Sequence, residues 1–215
     1  MLKNKIKHYL FSLGIILLFQ FHLFGSDNEM ESWTFVGGNI ERNNQQISFH
    51  NANFFKQEIG WFLNHTQVTY DLGTDKSIFA GIGYKQEYVD FSTNWRREYR
   101  PFLRLFFQKE WKNWQLLDKN QWEFRFIDKD LINRYRNQII LLYEKQEKIT
   151  PYCKTEFFVN VVNGLDYNRQ RNFIGAFIPL SNFEVNLFVV HQYDKVAKND
   201  WQHKFMLGTG LFYNF

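Results

Sequence analysis

The chain of 215 residues has few of the features that usually anchor a soluble fold or a catalytic centre. Its only cysteine, Cys153, excludes an intrachain disulfide and a cysteine-rich metal site. There is no Pro/Gly/Ser-rich linker and no internal repeat, so one folded unit is predicted. Beyond residue 26, no run approaches the roughly 18 apolar residues of a membrane-spanning helix. Neither G-x-S-x-G nor H-E-x-x-H occurs, so no familiar hydrolase motif is present.

The positive net charge of +4 is concentrated at the N-terminus. Lys3, Lys5 and Lys7 precede any acidic residue, and without them 23 basic residues stand against 22 acidic ones. A balance near +1 gives no electrostatic reason to expect a nucleic-acid partner.

The N-terminal segment has the layout of an export signal. The three lysines precede an apolar run at 9–24, which is followed by Gly25, Ser26 and an acidic, polar stretch. This order predicts a secretory signal peptide over residues 1–26, cleaved after Gly25 or Ser26, with a mature domain over residues 27–215. A retained anchor is less favoured, since about 20 apolar residues are needed to span a bilayer.

Apolar and polar residues alternate along the remaining chain, as they do in β-strands with two different faces. In the last segment, one face carries Phe205, Leu207, Thr209, Leu211, Tyr213 and Phe215. Segments of about 10 to 14 residues exceed the usual strand of five or six and suit a strand that crosses a membrane at a tilt. Only a closed barrel satisfies the backbone groups of such strands in lipid. We therefore predict an all-β, up-and-down antiparallel transmembrane barrel in the outer membrane of a Gram-negative cell.

A soluble β-sandwich or a lipocalin-like barrel would also alternate. The strand length and the terminal aromatic residue Phe215 oppose that alternative. So does a set of tryptophans near segment ends, where interfacial girdles lie; these are Trp33, Trp61, Trp95, Trp111, Trp114 and Trp201.

Eleven alternating segments can be counted. They begin near Trp33, Gln46, Trp61, Lys76, Trp95, Asn113, Ile132, Ile149, Asn168, Phe183 and Trp201. Because single-chain bacterial barrels have even strand numbers, one assignment before Asp71 is expected to be wrong. Twelve strands are preferred, with ten as the alternative, and both termini are expected at the periplasmic end.

The face opposite the apolar one is charged, which predicts a charged lumen. The candidate lumen cluster consists of Arg96, Glu98, Arg100, Arg104, Glu123, Arg125, Arg134, Arg136, Glu156, Arg169 and Arg171. Lys119, Lys154, Glu110 and Glu144 bring the inward set to ten basic and five acidic residues. Pairs between neighbouring strands are expected to be worth little each, because lumen water should screen them.

From Trp95 to the C-terminus, a recognisable order of features runs through the stretch 96–100 (RREYR), the turn between Trp111 and Trp114, the segments 123–125, 134–136 and 156–158, the pair Asn168-Arg169 before Gly175, and the aromatic C-terminal strand. With these features the chain resembles the outer-membrane barrel family catalogued as domain of unknown function 2490. The resemblance covers most of the mature chain and is loose before Tyr70. The resemblance implies a barrel in the outer membrane and no particular activity. Segment 84–86 departs from it, since an arginine is expected there.

Three functions follow from this pattern as hypotheses. The first is a structural or accessory barrel with a largely filled lumen, and the second is a narrow porin-like channel or binding barrel for small anionic solutes. The third, a lipid hydrolase or acyltransferase, is disfavoured because no serine–histidine pair is evident; the mature histidines are His50, His65, His191 and His203. His203 is assigned to the lipid-facing side and His65 to the lumen.

No metal site and no cofactor are expected. The predicted partners are outer-membrane lipid and the barrel-assembly machinery. The machinery is expected to read the C-terminal strand through an insertion signal formed by Leu211, Tyr213 and Phe215.

Overall fold

The structure is a computed structural model that describes residues 30–42, 44–56, 61–73, 77–90, 95–128, 130–144, 148–162, 164–197 and 200–214. The predicted signal peptide and Phe215 lie outside these residues. Every regular element of the described residues is a β-strand.

Eleven strands follow one another along the described residues. They are β1 (Met30–Arg42), β2 (Gln45–Lys56), β3 (Trp61–Gly73), β4 (Ile78–Asp90), β5 (Trp95–Trp111), β6 (Trp114–Ile127), β7 (Asp130–Tyr143), β8 (Thr150–Val161), β9 (Leu165–Leu180), β10 (Phe183–Ala197) and β11 (Asp200–Asn214). Each begins within three residues of a segment start predicted from the sequence. The eleven segments were therefore real, and the expectation that one of them was wrong is itself wrong.

The strands close into a single barrel in which each pairs with its sequence neighbours. All of these pairs are antiparallel except the closing pair of β1 with β11, which is parallel, with Thr34 opposite Thr209. A parallel closure follows from the odd number, because ten reversals leave the last strand running in the direction of the first. The predictions of twelve or ten strands and of a wholly antiparallel barrel are thus wrong. So is the expectation that both termini share one end, since β1 begins and β11 finishes at opposite ends.

Short turns join several of the strands, and their backbone explains why the chain reverses where it does. Lys112 and Ser181, each the first residue of a two-residue turn, have φ angles of 55° and 61°. Left-handed backbone of this kind matches the twist of the paired strands in a tight hairpin. Both turns lie at segment starts predicted from the sequence, near Asn113 and Phe183.

Alternation gives the barrel two unlike surfaces. Its outward side chains are mostly large and apolar, and many stay well exposed to the surroundings, including Ile82, Leu103, Ile174 and Phe205. Within the described residues, no helix has the length and apolar character to cross a membrane.

Some outward side chains are polar, and cross-strand hydrogen bonds satisfy them. Asn64 donates to Asn53 at 2.7 Å, and Asn51 donates to Thr66 at 3.0 Å, both between β2 and β3. Between β6 and β7, Asn137 donates to Asp118 at 2.7 Å. Mutual bonding satisfies polar groups that stand among apolar neighbours on this surface.

The interior is not uniformly polar, because an aromatic cluster fills part of it. Its buried members are Trp33, Ala52, Phe54, Tyr152, Phe173, Phe188, Val190 and Met206. Trp33, at 3% exposure, lies at its centre, with its ring 4.5 Å from that of Phe54. The prediction that Trp33 belongs to an outer girdle is therefore wrong. Trp111 and Trp114, by contrast, are exposed at the ends of their strands.

Candidate functional site: the charged lumen

The barrel encloses a cavity of about 730 Å³. Its lining includes Gln46 and Glu184, each the second residue of a strand at one end of the barrel, and Arg96, the second residue of a strand at the other end. The structure places ten of the eleven predicted cluster residues in this lining, and the eleventh, Glu123, is fully buried behind it. The predicted cluster is thus one continuous interior surface.

The first group of ion pairs connects β4, β5 and β6. The Arg100 guanidinium donates to both carboxylate oxygens of Glu98, at 2.6 and 2.7 Å. It also binds Glu87 on β4 through two hydrogen bonds. Arg125 on β6 donates to the same Glu98 at 2.5 Å, and Lys85 lies 2.6 Å from Glu87. Three cations and two carboxylates therefore form one lattice across three strands.

Glu123 on β6 is the second anchor, with no exposed surface. Arg134 on β7 contacts its Oε2 through two donors, the nearer of which is Nη2, while Gln121 donates to Oε1 at 2.8 Å. Arg136 lies 4.0 Å from Glu123 on the other side. Because both carboxylate oxygens are bound, the charge is held in a fixed place without water.

Glu156 on β8 is shared among three cations. Arg136 approaches it to 3.0 Å, Lys154 to 2.8 Å and Arg171 to 3.8 Å. One carboxylate cannot neutralise three positive charges. This part of the lumen therefore carries surplus positive charge.

Lys119 on β6 extends the surplus of positive charge, whereas Arg104 on β5 does not. Arg104 is neutralised by Asp71 of β3, to which it donates through Nε at 2.5 Å and through Nη2. Within the described part of the chain, Lys119 has no carboxylate at ion-pair distance, and its ammonium lies 5.5 Å from the centre of the Phe106 ring. Lys119 lies opposite Gln138 of β7, two residues along that strand from Arg136.

Summed over the cavity, the charges are unbalanced. Among the described residues, the lining holds twelve basic and five acidic residues, and the buried carboxylates of Asp71 and Glu123 raise the acidic number to seven, which leaves five positive charges in excess. Glu110 and Glu144, which were predicted to face inward with the cluster, are instead exposed, Glu110 at the end of β5 and Glu144 just beyond β7.

Several site residues were missed by the sequence reasoning. Lys85 and Glu87 share one strand parity, so alternation could have placed both of them in the lumen. The inward aromatic residues gave no such signal. An apolar side chain on the polar face of an alternating segment only interrupts the alternation and does not indicate that it belongs to an interior cluster.

The remaining candidates lie elsewhere. His203 faces outward, as predicted, with its Nδ1 3.4 Å from His191 Nε2 and its ring against Tyr193. Leu211 and Tyr213 of the predicted insertion signal lie on β11 in register with Val36 and Gly38 of β1. Among the described residues, no group of three or more histidine, cysteine, aspartate or glutamate side chains is arranged to hold a metal ion.

Comparison with known proteins places the chain in a family. No curated protein matches the sequence. A family model described as "Protein of unknown function (DUF2490)" matches residues 23–203, which is most of the chain. On that match, the chain belongs to the DUF2490 family, as its sequence features suggested.

Proposed function

We propose that this chain is an exported outer-membrane barrel with a narrow lumen that admits small anions in preference to cations. The observation that carries the proposal is the excess of five positive charges around the 730 Å³ cavity. A lumen lined by one sign of charge raises the local concentration of ions of opposite sign. Arginine also binds carboxylate and phosphate groups well, because its planar donors match their oxygens.

The outer surface supports the membrane location. Soluble monomers rarely expose continuous apolar patches above a few hundred Å². Here large apolar side chains are exposed on strand after strand around the barrel, from Val36 on β1 to Phe205 on β11. In lipid, the same apolar side chains are not exposed to water, and barrel closure leaves no unpaired strand edge. The export signal predicted over residues 1–26 supports the same location.

The structure also explains why the lumen would be narrow. Aromatic side chains of β1, β2, β9 and β10 fill one side of the interior, and fixed arginine–carboxylate pairs line much of the other. The accessory-barrel alternative, with a closed lumen, differs from the proposal in one measurable respect, because a closed barrel would pass no ions.

Localisation is tested by fractionation and N-terminal sequencing. The mature chain is expected in the outer-membrane fraction, beginning at Ser26 or Asp27. Recovery as a soluble periplasmic protein, or with Met1 retained, would refute the membrane assignment.

The lumen is tested in proteoliposomes that hold a chloride-quenched dye and a potassium ionophore to balance charge. Chloride entry is expected to exceed that of protein-free vesicles. Lys119→Gln should slow the entry because it removes a positive charge from the lumen. The change leaves no carboxylate without its ion-pair partner. Lys109→Gln, on the exposed outward face of β5, serves as the matched control and should equal the parent. No entry above the protein-free level would favour the closed barrel.

A further inference from the structure

We infer that the lumen contains a binding site for an organic anion: a carboxylate or phosphate group held near Lys119 and Arg136, and an apolar body held against Trp33 and Phe54. The inference rests on the proposed function and adds the chemical class of the solute. It depends on two unlike walls of the cavity and on buried polar atoms between them.

The first wall is basic. Lys119 has no carboxylate at ion-pair distance among the described residues, and Arg136 carries a buried Nε that has no hydrogen-bond partner there. Lys154 adds a third charge, only part of which the shared Glu156 can offset. An entering anion would therefore find donors that do not have to give up an existing partner. Charge-assisted hydrogen bonds of this kind are the strong ones.

The second wall is aromatic. The Trp33 ring lies 6.0 Å from Phe173 and 6.2 Å from Phe188, and the Phe35 ring lies 5.7 Å from Phe188. These side chains come from β1, β9 and β10, so the wall is assembled across the closing pair of strands. Trp33, Phe35 and Phe188 all line the cavity.

The two walls meet within reach of one small molecule. The Arg171 guanidinium lies 4.8 Å from the Trp33 ring centre, and the Lys154 ammonium lies 3.5 Å from the Phe173 ring centre. Basic groups therefore border the aromatic surface directly. A ligand with a charged end and an apolar end can contact both.

Buried polar atoms point to the same place. Trp33 Nε1 and His65 Nδ1 have no hydrogen-bond partner among the described residues, although these side chains are only 3% and 5% exposed. Both residues line the cavity, and the His65 ring lies 5.2 Å from Phe54. A buried donor without an acceptor is costly, so natural proteins retain few of them. A ligand oxygen beside Arg136 would satisfy its buried Nε.

The cavity size also suits an organic ligand. Sites for small molecules commonly measure about 300 to 1,000 Å³ and are mostly apolar, with a few placed polar groups. The volume of about 730 Å³ lies in this range. An inorganic anion would leave the aromatic wall uncovered.

The site can be tested by calorimetric titration of the refolded, detergent-solubilised mature chain with 2-naphthylacetate. Acetate and the neutral 2-naphthylacetamide supply the charged end alone and the apolar end alone. We expect 2-naphthylacetate to bind about tenfold or more tightly than either, because neither analogue contacts both walls.

Two variants locate the binding. Lys119→Gln should weaken 2-naphthylacetate binding about tenfold, as expected for the loss of one charge-assisted hydrogen bond. Trp33→Leu removes the aromatic face that holds the apolar body of the ligand and should weaken binding severalfold. Lys109→Gln controls for partition into the micelle and should bind like the parent. Heat-dependent mobility on gels verifies that each variant is folded.

The outcomes separate this inference from the proposed function. If 2-naphthylacetate binds no tighter than acetate, or if Lys119→Gln binds like the parent, the organic-anion site is refuted while chloride entry can still be anion-selective. If the proteoliposomes pass no chloride, the proposed passage fails regardless of the titration. Tight binding that both variants weaken and the control does not would establish the site.

Discussion

The buried pair of Arg134 and Glu123 allows a quantitative prediction about stability. Glu123 has no exposed side-chain surface and Arg134 has 7%. Arg134→Met therefore leaves a carboxylate in the interior without its main partner. Removing one member of such a buried pair costs about 3 to 5 kcal/mol, because the remaining charge has neither water nor a full counter-charge.

For Arg134→Met we expect a cost at the lower end of that range, because Glu123 keeps other contacts. Gln121 still donates to Glu123 at 2.8 Å, and Arg136 remains 4.0 Å away. We expect a loss of about 3 kcal/mol, against the roughly 5 to 15 kcal/mol that separates folded from unfolded states in typical proteins. This revises the expectation from sequence, which assumed that lumen water screens each pair.

The assay is reversible urea unfolding in lipid vesicles, followed by tryptophan fluorescence. Adding Glu123→Gln to Arg134→Met should restore most of the stability, because no buried charge is then left unpaired. Lys195→Met breaks the exposed pair with Asp166 and should cost at most about 1 kcal/mol. If Arg134→Met costs no more than this control, the lumen pairs are screened and the reasoning is wrong.

Three other predictions concern the outer face, the interior packing and the topology. Leu105→Arg places a charge on the outward face of β5 and should destabilise the membrane-inserted barrel by about 2 to 4 kcal/mol in the same urea assay, whereas a soluble barrel would tolerate it. Gly208→Ala should cost about 1 to 3 kcal/mol, because the added methyl would come within 2.0 Å of the Phe188 ring; adding Phe188→Leu should recover part of the loss, and an unchanged unfolding midpoint would contradict the packing. On intact cells, antibody should reach an epitope placed directly before Met30 but should not reach one placed at Asn182, since an odd strand number puts them at opposite ends; labelling of both from outside would refute the topology.

Much of the fold could be predicted from the sequence, because alternation and turn chemistry are local properties. The starts of the strands and the tight turns at Lys112 and Ser181 depend on residues a few positions apart, and both agree with the structure. Strand number failed for a different reason. A general rule about even numbers was preferred to the segments themselves, and the parallel closure of β1 on β11 is a long-range pairing with no local signature.

The candidate site was partly predictable for the same reason. Strand parity placed the predicted lumen cluster on one interior surface, but it could not show which of its charges lack partners. The surplus around Glu156, the isolation of Lys119 and the burial of Trp33 depend on side chains from strands far apart in sequence. Those are the features on which the proposed ligand depends.

The most direct test of a basic, anion-admitting lumen is the reversal potential of the refolded mature chain in a planar bilayer under a potassium chloride gradient. Chloride should carry most of the current, so the reversal potential should be shifted from zero toward the chloride equilibrium potential. This shift should become smaller in Lys119→Gln but not in Lys109→Gln. A potassium-selective current, or a bilayer that stays silent while the protein is demonstrably inserted, would contradict the account.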